Sequence, residues 1–229
     1  MGEVEAEDGM NPEKVIIGNA ELWHADCREI LPTLDQVGCI CSDPPYGINF
    51  QHGGGGKGIH ARGAKRRNLG AIYGDDKKFN LQHLLKWPCL LFGADHYANA
   101  LPDGGMFHVW DKDPKGIMSW DSFSDAELFW TSWTRSRVVF RYLWKGLCQE
   151  GAGERRYHPT AKPVRLMEFC IGLMPEKDIL CDPYLGSGTT GVACMNLGRK
   201  FIGIEIKRKY FDIACRRIED AQRQQRLVP

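Results

Sequence analysis

Apolar and polar positions along the chain fall into two alternating rhythms. Short apolar runs, "AELWHAD", "VGCICSD", "GGMFHVWD", "RVVFRYLWKG", "DILCD" and "FIGIEI", have the length and flanks of strands. Between them, "CREILPTLDQ" suits a short helix or turn, and "FNLQHLLKWPCLLF" starts as a helix that Pro88 breaks. "PVRLMEFCIGLM" has apolar residues at helical spacing behind an opening proline. The tail "YFDIACRRIEDAQRQQ" puts Phe211, Ile213, Ala214 and Ile218 on the apolar side of a helix. Strands and helices alternate with no internal repeat and no linker. The pattern predicts a single α/β domain on a doubly wound, mostly parallel sheet.

Composition narrows the class. A hydrophobic content of 43% with 26% charged residues suits a soluble globular protein. No apolar stretch approaches the roughly 20 residues that span a bilayer, and the start "MGEVEAEDG" is acidic, unlike a signal peptide. The 9 cysteines are scattered without a CxxC pair, so we expect buried thiols in a reducing cytosol and no metal site. Net charge is +1, but its distribution is uneven. Residues 1–18 form an acidic extension, 19–220 the domain and 221–229 a tail. Within the domain, 52–70 is expected to be a mobile basic loop. Its Lys57, Arg62, Lys65, Arg66 and Arg67 stand with no acid among them, as phosphate-binding residues for DNA.

Two stretches carry chemistry. In "CDPYLGSGTTG", Gly186 and Gly188 sit between a buried strand and a helix, where backbone N–H groups approach a ligand. Glu205 ends the next strand, the place of an acid that binds ribose hydroxyls. With no GK[ST] phosphate loop, the site suits a nucleoside without a pyrophosphate, and S-adenosylmethionine fits that description. A tight connection alone is the plainer alternative.

The second stretch, "CSDPPYGINF", puts Asp43, Pro44, Pro45 and Tyr46 at a strand end. An exocyclic base amine is a poor nucleophile because its lone pair is delocalised into the ring. Acceptors on both N–H bonds localise that pair: Asp43 provides one and the Pro44 carbonyl the other, held by consecutive prolines without a competing donor. Tyr46 is placed to stack on the base, which must leave the duplex to be reached. The plainer alternative is that the prolines merely end a strand.

The sequence resembles the DNA amino-methyltransferases, in the circularly permuted beta-type group where the catalytic motif precedes the cofactor loop. "SDPPYGI" is similar to their catalytic motif, "DPYLGSGTTGVACMNLGRKFIGIEI" to their cofactor motif, with Tyr184 where phenylalanine is usual. "YHPTAKPVRLME" is similar to the segment before the cofactor strand, with Ala161 where glutamine is usual. "LWHADCREIL" is similar to the segment that approaches the adenine of the cofactor. The likeness runs from about Asn19 to Ile218.

The resemblance implies a Rossmann-like class I methyltransferase sheet, mostly parallel with one antiparallel strand. It implies S-adenosylmethionine as cofactor, held by Asp182, Tyr184, Gly186, Ser187, Gly188, Thr189 and Thr190, with Glu205 on the ribose. Asp26 and Cys27 are expected at the adenine, His158, Thr160 and Lys162 near the cofactor carboxylate, and Asp43 beside the methyl group. Aspartate before "PPY" favours adenine-N6 over cytosine-N4. Residues 110–154 leave room for only a small target-recognition region. The expected partner is double-stranded DNA, with a homodimer as an option, in the cytoplasm of a bacterium or its virus. Cytosine-N4, RNA and protein glutamine are the rival acceptors, and an inactive nucleic-acid-binding scaffold is the rival of another class.

Overall fold

The computed structural model describes residues 11–49, 73–116, 124–145, 148–150, 157, 161–175 and 179–225. The first elements are β1 (Glu13–Ile17), β2 (Ala20–His24), α1 (Cys27–Ile30), β3 (Val37–Ser42) and β4 (Cys89–Phe92). Next come β5 (Met106–Asp111), β6 (Ala126–Thr131), β7 (Val139–Arg141), β8 (Trp144–Lys145) and β9 (Cys148–Gln149). The last are α2 (Val164–Gly172), β10 (Ile179–Asp182), α3 (Thr189–Asn196), β11 (Phe201–Glu205) and α4 (Arg208–Gln225).

Nine strands form one sheet in the order β1-β2-β11-β10-β3-β4-β6-β5-β7, and β8 with β9 makes a separate hairpin. Strands β2, β11, β10, β3 and β4 run parallel to one another. The expected antiparallel strand is β6, wedged between β4 and β5. A second one was not foreseen: β1, in the segment assigned to the acidic extension, pairs antiparallel with β2 at the sheet edge.

The central strands are apolar on both faces because both are covered. Cys39, Cys41, Leu90 and Phe92 point into a layer with Leu166 and Met167 of α2, Ala193 of α3 and Phe211 of α4. Ile40, Leu91, Cys181, Ile202 and Ile204 point into the other layer, with Ile30 of α1 and the loop residues Leu81 and Leu84. That loop corrects the helix expected at "FNLQHLLKW". Leu84 N–H bonds the Leu81 carbonyl and Trp87 N–H the Leu84 carbonyl, three residues back rather than four. The Asn80 side chain accepts from Gln82 N–H, and Pro88 brings no donor to continue the turn.

One buried polar pair lies between β5 and β6. His108 Nδ1 accepts from Val138 N–H at 3.2 Å, so its proton sits on Nε2, 3.0 Å from Thr131 Oγ1. Thr131 in turn donates to the Trp133 carbonyl. Burial pulls the His108 pKa down to about 4. All 9 cysteines are free thiols. Among the described residues no helix is long and apolar enough to cross a membrane.

Parallel pairing brings Ser42, Asp182 and Glu205, the last residues of β3, β10 and β11, to one rim of the sheet. Ligands of open α/β sheets bind at that rim.

Candidate active site

The catalytic corner starts where β3 stops. After Asp43 and two prolines the chain turns through Gly47, at φ 75°, where an added Cβ would lie 2.6 Å from the Lys77 carbonyl oxygen. Buried Asp75 accepts from Gly47 N–H at 2.8 Å and pins the turn. Tyr46 lies against Gly93, where a Cβ would come within 2.1 Å of the ring, and stacks on His96 with centroids 5.1 Å apart. His96, an exposed side chain on the loop after β4, thus covers one face of the Tyr46 ring.

Asp43 faces three partners from three parts of the chain. Its Oδ1 accepts from the Tyr46 hydroxyl at 2.5 Å and its Oδ2 from Lys162 Nζ at 2.7 Å. Glu127, on β6, accepts the same ammonium at 2.8 Å and sits 3.1 Å from the Tyr46 hydroxyl. Lys162 Nζ also reaches the Tyr46 oxygen at 3.2 Å. An ammonium has three N–H donors, and all three are engaged here. Lys112 stands behind Glu127 at 3.8 Å. Lys162, expected near the cofactor carboxylate, lies in the corner between Asp43 and Glu127.

Two carboxylates around one ammonium titrate as a set. Burial raises the Asp43 pKa, with Lys162 opposing and Glu127 adding to the rise. Burial also pushes Glu127 up, but Lys162 and Lys112 outweigh it and hold that carboxyl below its ordinary value. Burial works against the Lys162 ammonium, yet Asp43 and Glu127 prevail and its pKa is raised. Burial, then both carboxylates, push Tyr46 far up, so it remains a donor.

The glycine loop is held by two buried carboxylates, Asp182 and Glu205. Asp182, 2% exposed, accepts from Ser42 Oγ at 2.6 Å, Thr190 Oγ1 at 2.6 Å and Tyr184 N–H at 3.1 Å. Its role is to fasten the loop to β3, and burial pushes its pKa to about 6. Glu205 accepts from Gly186 N–H and Lys207 N–H, each at 2.8 Å, and burial lifts its pKa to about 7. Gly188, at φ 85°, has no room for a Cβ, which would meet Ala214 of α4 at 2.9 Å. Gly186 differs: a Cβ there would meet only the Tyr184 carbonyl at 3.9 Å, so the loop keeps an open face.

Gly186, Gly188 and Gly191 stand at the G-x-G-x-x-G spacing of dinucleotide folds, which the reading of the loop above passed over. Spacing alone therefore does not exclude a pyrophosphate. In this fold Gly191 serves packing, since a Cβ would strike Ile218 at 2.4 Å.

Other expected residues fall as follows. Asp26 caps α1 by accepting from Arg28 N–H at 2.9 Å and pairs with the Arg28 guanidinium, which lowers its pKa. Burial pushes the Cys27 thiol up to about 12, and Tyr184, whose hydroxyl lies 2.9 Å from His83 Nε2, is its polar neighbour. Arg217, not foreseen, donates from α4 to the Ser187 carbonyl at 2.7 Å and reaches Ser187 Oγ and Thr189 Oγ1 at 3.2 Å each. A signal existed: it is the cation inside the stripe Ala214, Ile218 and Ala221. Glu127 had a fainter one, a lone acid in "AELFW". His158, Thr160, Lys57, Arg62, Lys65, Arg66 and Arg67 lie outside the described residues.

Similarity to known proteins can be set beside this geometry. Residues 118–216 match the N6_N4_Mtase family model, described as DNA methylase. The Type II methyltransferase M2.LlaDCHI of Lactococcus lactis subsp. cremoris is 37% identical over 97 residues, 42% of this chain and 32% of that protein. The Type II methyltransferase M2.DpnII of Streptococcus pneumoniae is 48% identical over 63 residues, 27% of this chain and 24% of that protein. The chain therefore covers less than two thirds of either relative's length. The crystal structure of the M1.HpyAVI–SAM complex is 27% identical, with TM-score 0.52 over 86% of this chain and 99% of that one. The cytosine-N4-specific PvuII DNA methyltransferase shares the fold at 16% identity and TM-score 0.54, over 91% of this chain and 93% of that one. The fold is that of the class I methyltransferases. Residues 118–216 are thus similar to the N6_N4_Mtase family of DNA methylases.

Proposed function

We propose that the protein methylates the exocyclic N6 amine of an adenine flipped out of double-stranded DNA, with S-adenosylmethionine as donor. The observation that carries the reading is the corner itself: the Asp43 carboxylate just past the end of β3, next to Ser42, whose hydroxyl donates to Asp182, the first acid of the glycine loop on the neighbouring strand. Acceptor and donor sites are thus set side by side. The open face at Gly186 and the remaining lone pairs of Glu205 fit a nucleoside with ribose hydroxyls. Gly186, Ser187, Gly188 and Thr189 would hold the methionine part, with Arg217 bracing that loop. Bound there, S-adenosylmethionine supplies a methyl group on a sulfonium sulfur, which keeps the bonding pair as the amine lone pair takes the carbon.

The chain's own residues do the rest. Asp43 accepts one amine N–H and the Pro44 carbonyl the other, and the raised pKa of Asp43 suits it to take the proton released from the methylated nitrogen. The basic loop would neutralise phosphates beside the flipped base. Bacterial relatives support a place in the bacterial cytoplasm.

Incubation with methyl-labelled S-adenosylmethionine and DNA, RNA or protein, followed by nucleoside analysis, tests the reading. N6-methyladenine in DNA is the expected product. N4-methylcytosine would correct the base, and label confined to RNA or protein would overturn the substrate.

A further inference from the structure

Glu127 takes no part in the two motifs, yet it is built into the corner. It lies on the strand antiparallel to its neighbours, is 19% exposed in its side chain, and touches both Lys162 and Tyr46. If Lys162 served Asp43 alone, its whole charge would fall on the carboxylate that must attract an amine N–H. A fully paired carboxylate is a poor acceptor. A second carboxylate at 2.8 Å divides that charge.

We propose that Glu127 is a positioning residue for methyl transfer: by sharing the Lys162 ammonium it fixes that lysine in place and leaves Asp43 able to take a hydrogen bond from the substrate amine. The inference rests on the proposed methyl transfer and deepens it. Tyr46 belongs to the same device. Its single proton goes to Asp43 at 2.5 Å, with Glu127 at 3.1 Å as the longer alternative. The charged and titratable groups around Asp43 are Tyr46 on its own turn, Lys162 before α2, Glu127 on β6, Tyr97 after β4 and Asp182 on β10. Lys112, directly after β5, acts on Glu127 from behind.

The test is the pH dependence of kcat/KM on DNA for the wild type, Glu127→Gln and Lys112→Gln. Glutamine keeps the shape and an acceptor but removes the charge. Glu127→Gln should lower kcat about 10-fold and move the acid limb to lower pH by about one unit, since Asp43 loses a like-charged neighbour. Lys112→Gln, which removes a distant cation, should move the same limb the other way by a smaller amount. Calorimetric affinity for S-adenosylmethionine should stay near that of the wild type in both, which a collapsed fold would not allow. Limbs that stay put, or move in the same direction, overturn the proposal. A wild-type enzyme with no methyl transfer to any acceptor overturns the parent reading instead, and the two failures are distinct.

Discussion

The two halves of the site are built on opposite plans. The cofactor loop is local: Asp182, Tyr184, Gly186, Gly188 and Thr190 lie within one strand–loop–helix unit, and its acids accept from backbone N–H and hydroxyl groups. The catalytic corner is assembled from afar. Residues 43, 112, 127 and 162 meet only because β3, β5 and β6 and the segment before α2 converge, and they meet as charges. A hydrogen-bonded loop tolerates the loss of one partner; a charge cluster does not. Removing Lys162 leaves two carboxylates without their shared cation in poorly hydrated surroundings, and removing either carboxylate leaves the charges unbalanced.

That contrast is sharpest at Asp43. Asp43→Ala should reduce turnover on the order of 10²–10⁴-fold with S-adenosylmethionine affinity nearly intact, as measured by steady-state kinetics beside calorimetry. A parallel loss of cofactor affinity would mean that corner and loop are not separable. Next in size is Lys162→Met, which leaves Asp43 and Glu127 facing each other without a cation. We expect a loss of about 3 kcal/mol in urea unfolding together with most of the activity. Unchanged stability would show that the cluster is more hydrated than its burial implies.

On the loop side, Glu205→Ala should weaken S-adenosylmethionine by roughly 1.5–3 kcal/mol without a comparable loss of stability. Because the Glu205 pKa lies near about 7, wild-type affinity should rise as pH passes from acid into alkaline solution through that value, and the variant should lose the dependence. The smallest effect belongs to His108, remote from both halves. Its folded pKa of about 4 lies below the ordinary histidine value of 6.5, so the unfolded chain binds the extra proton first. Its contribution is intact above the unfolded value and is lost as pH falls toward the folded one. His108→Gln should flatten the fall in melting temperature over that window.

Legibility in the sequence follows the same divide. The loop, the corner tetrapeptide and the parallel strands are short-range patterns of period and punctuation, and they stand where expected. The contacts of Lys162 with Asp43 and Glu127 were not legible because its segment says nothing about what lies across the rim, and Glu127 is invisible until β6 is threaded beside β4. β1 was hidden in an acidic stretch because an edge strand has one covered flank and a weak apolar signal. The helix expected before β4 failed because Asn80 and Pro88 limit the segment to three-residue turns.

The central pairing of β3 with β10 joins Ile40 to Cys181. A ribosome reaches the second long after the first, roughly ten seconds or more at ordinary rates of synthesis. During that interval β3 and β4 are apolar strands with one flank open, and the layer that α2, α3 and α4 later cover is bare. The nascent chain is therefore exposed to strand pairing with its neighbours for much of its synthesis, and protection by a chaperone should matter more to its yield than the stability of the finished sheet.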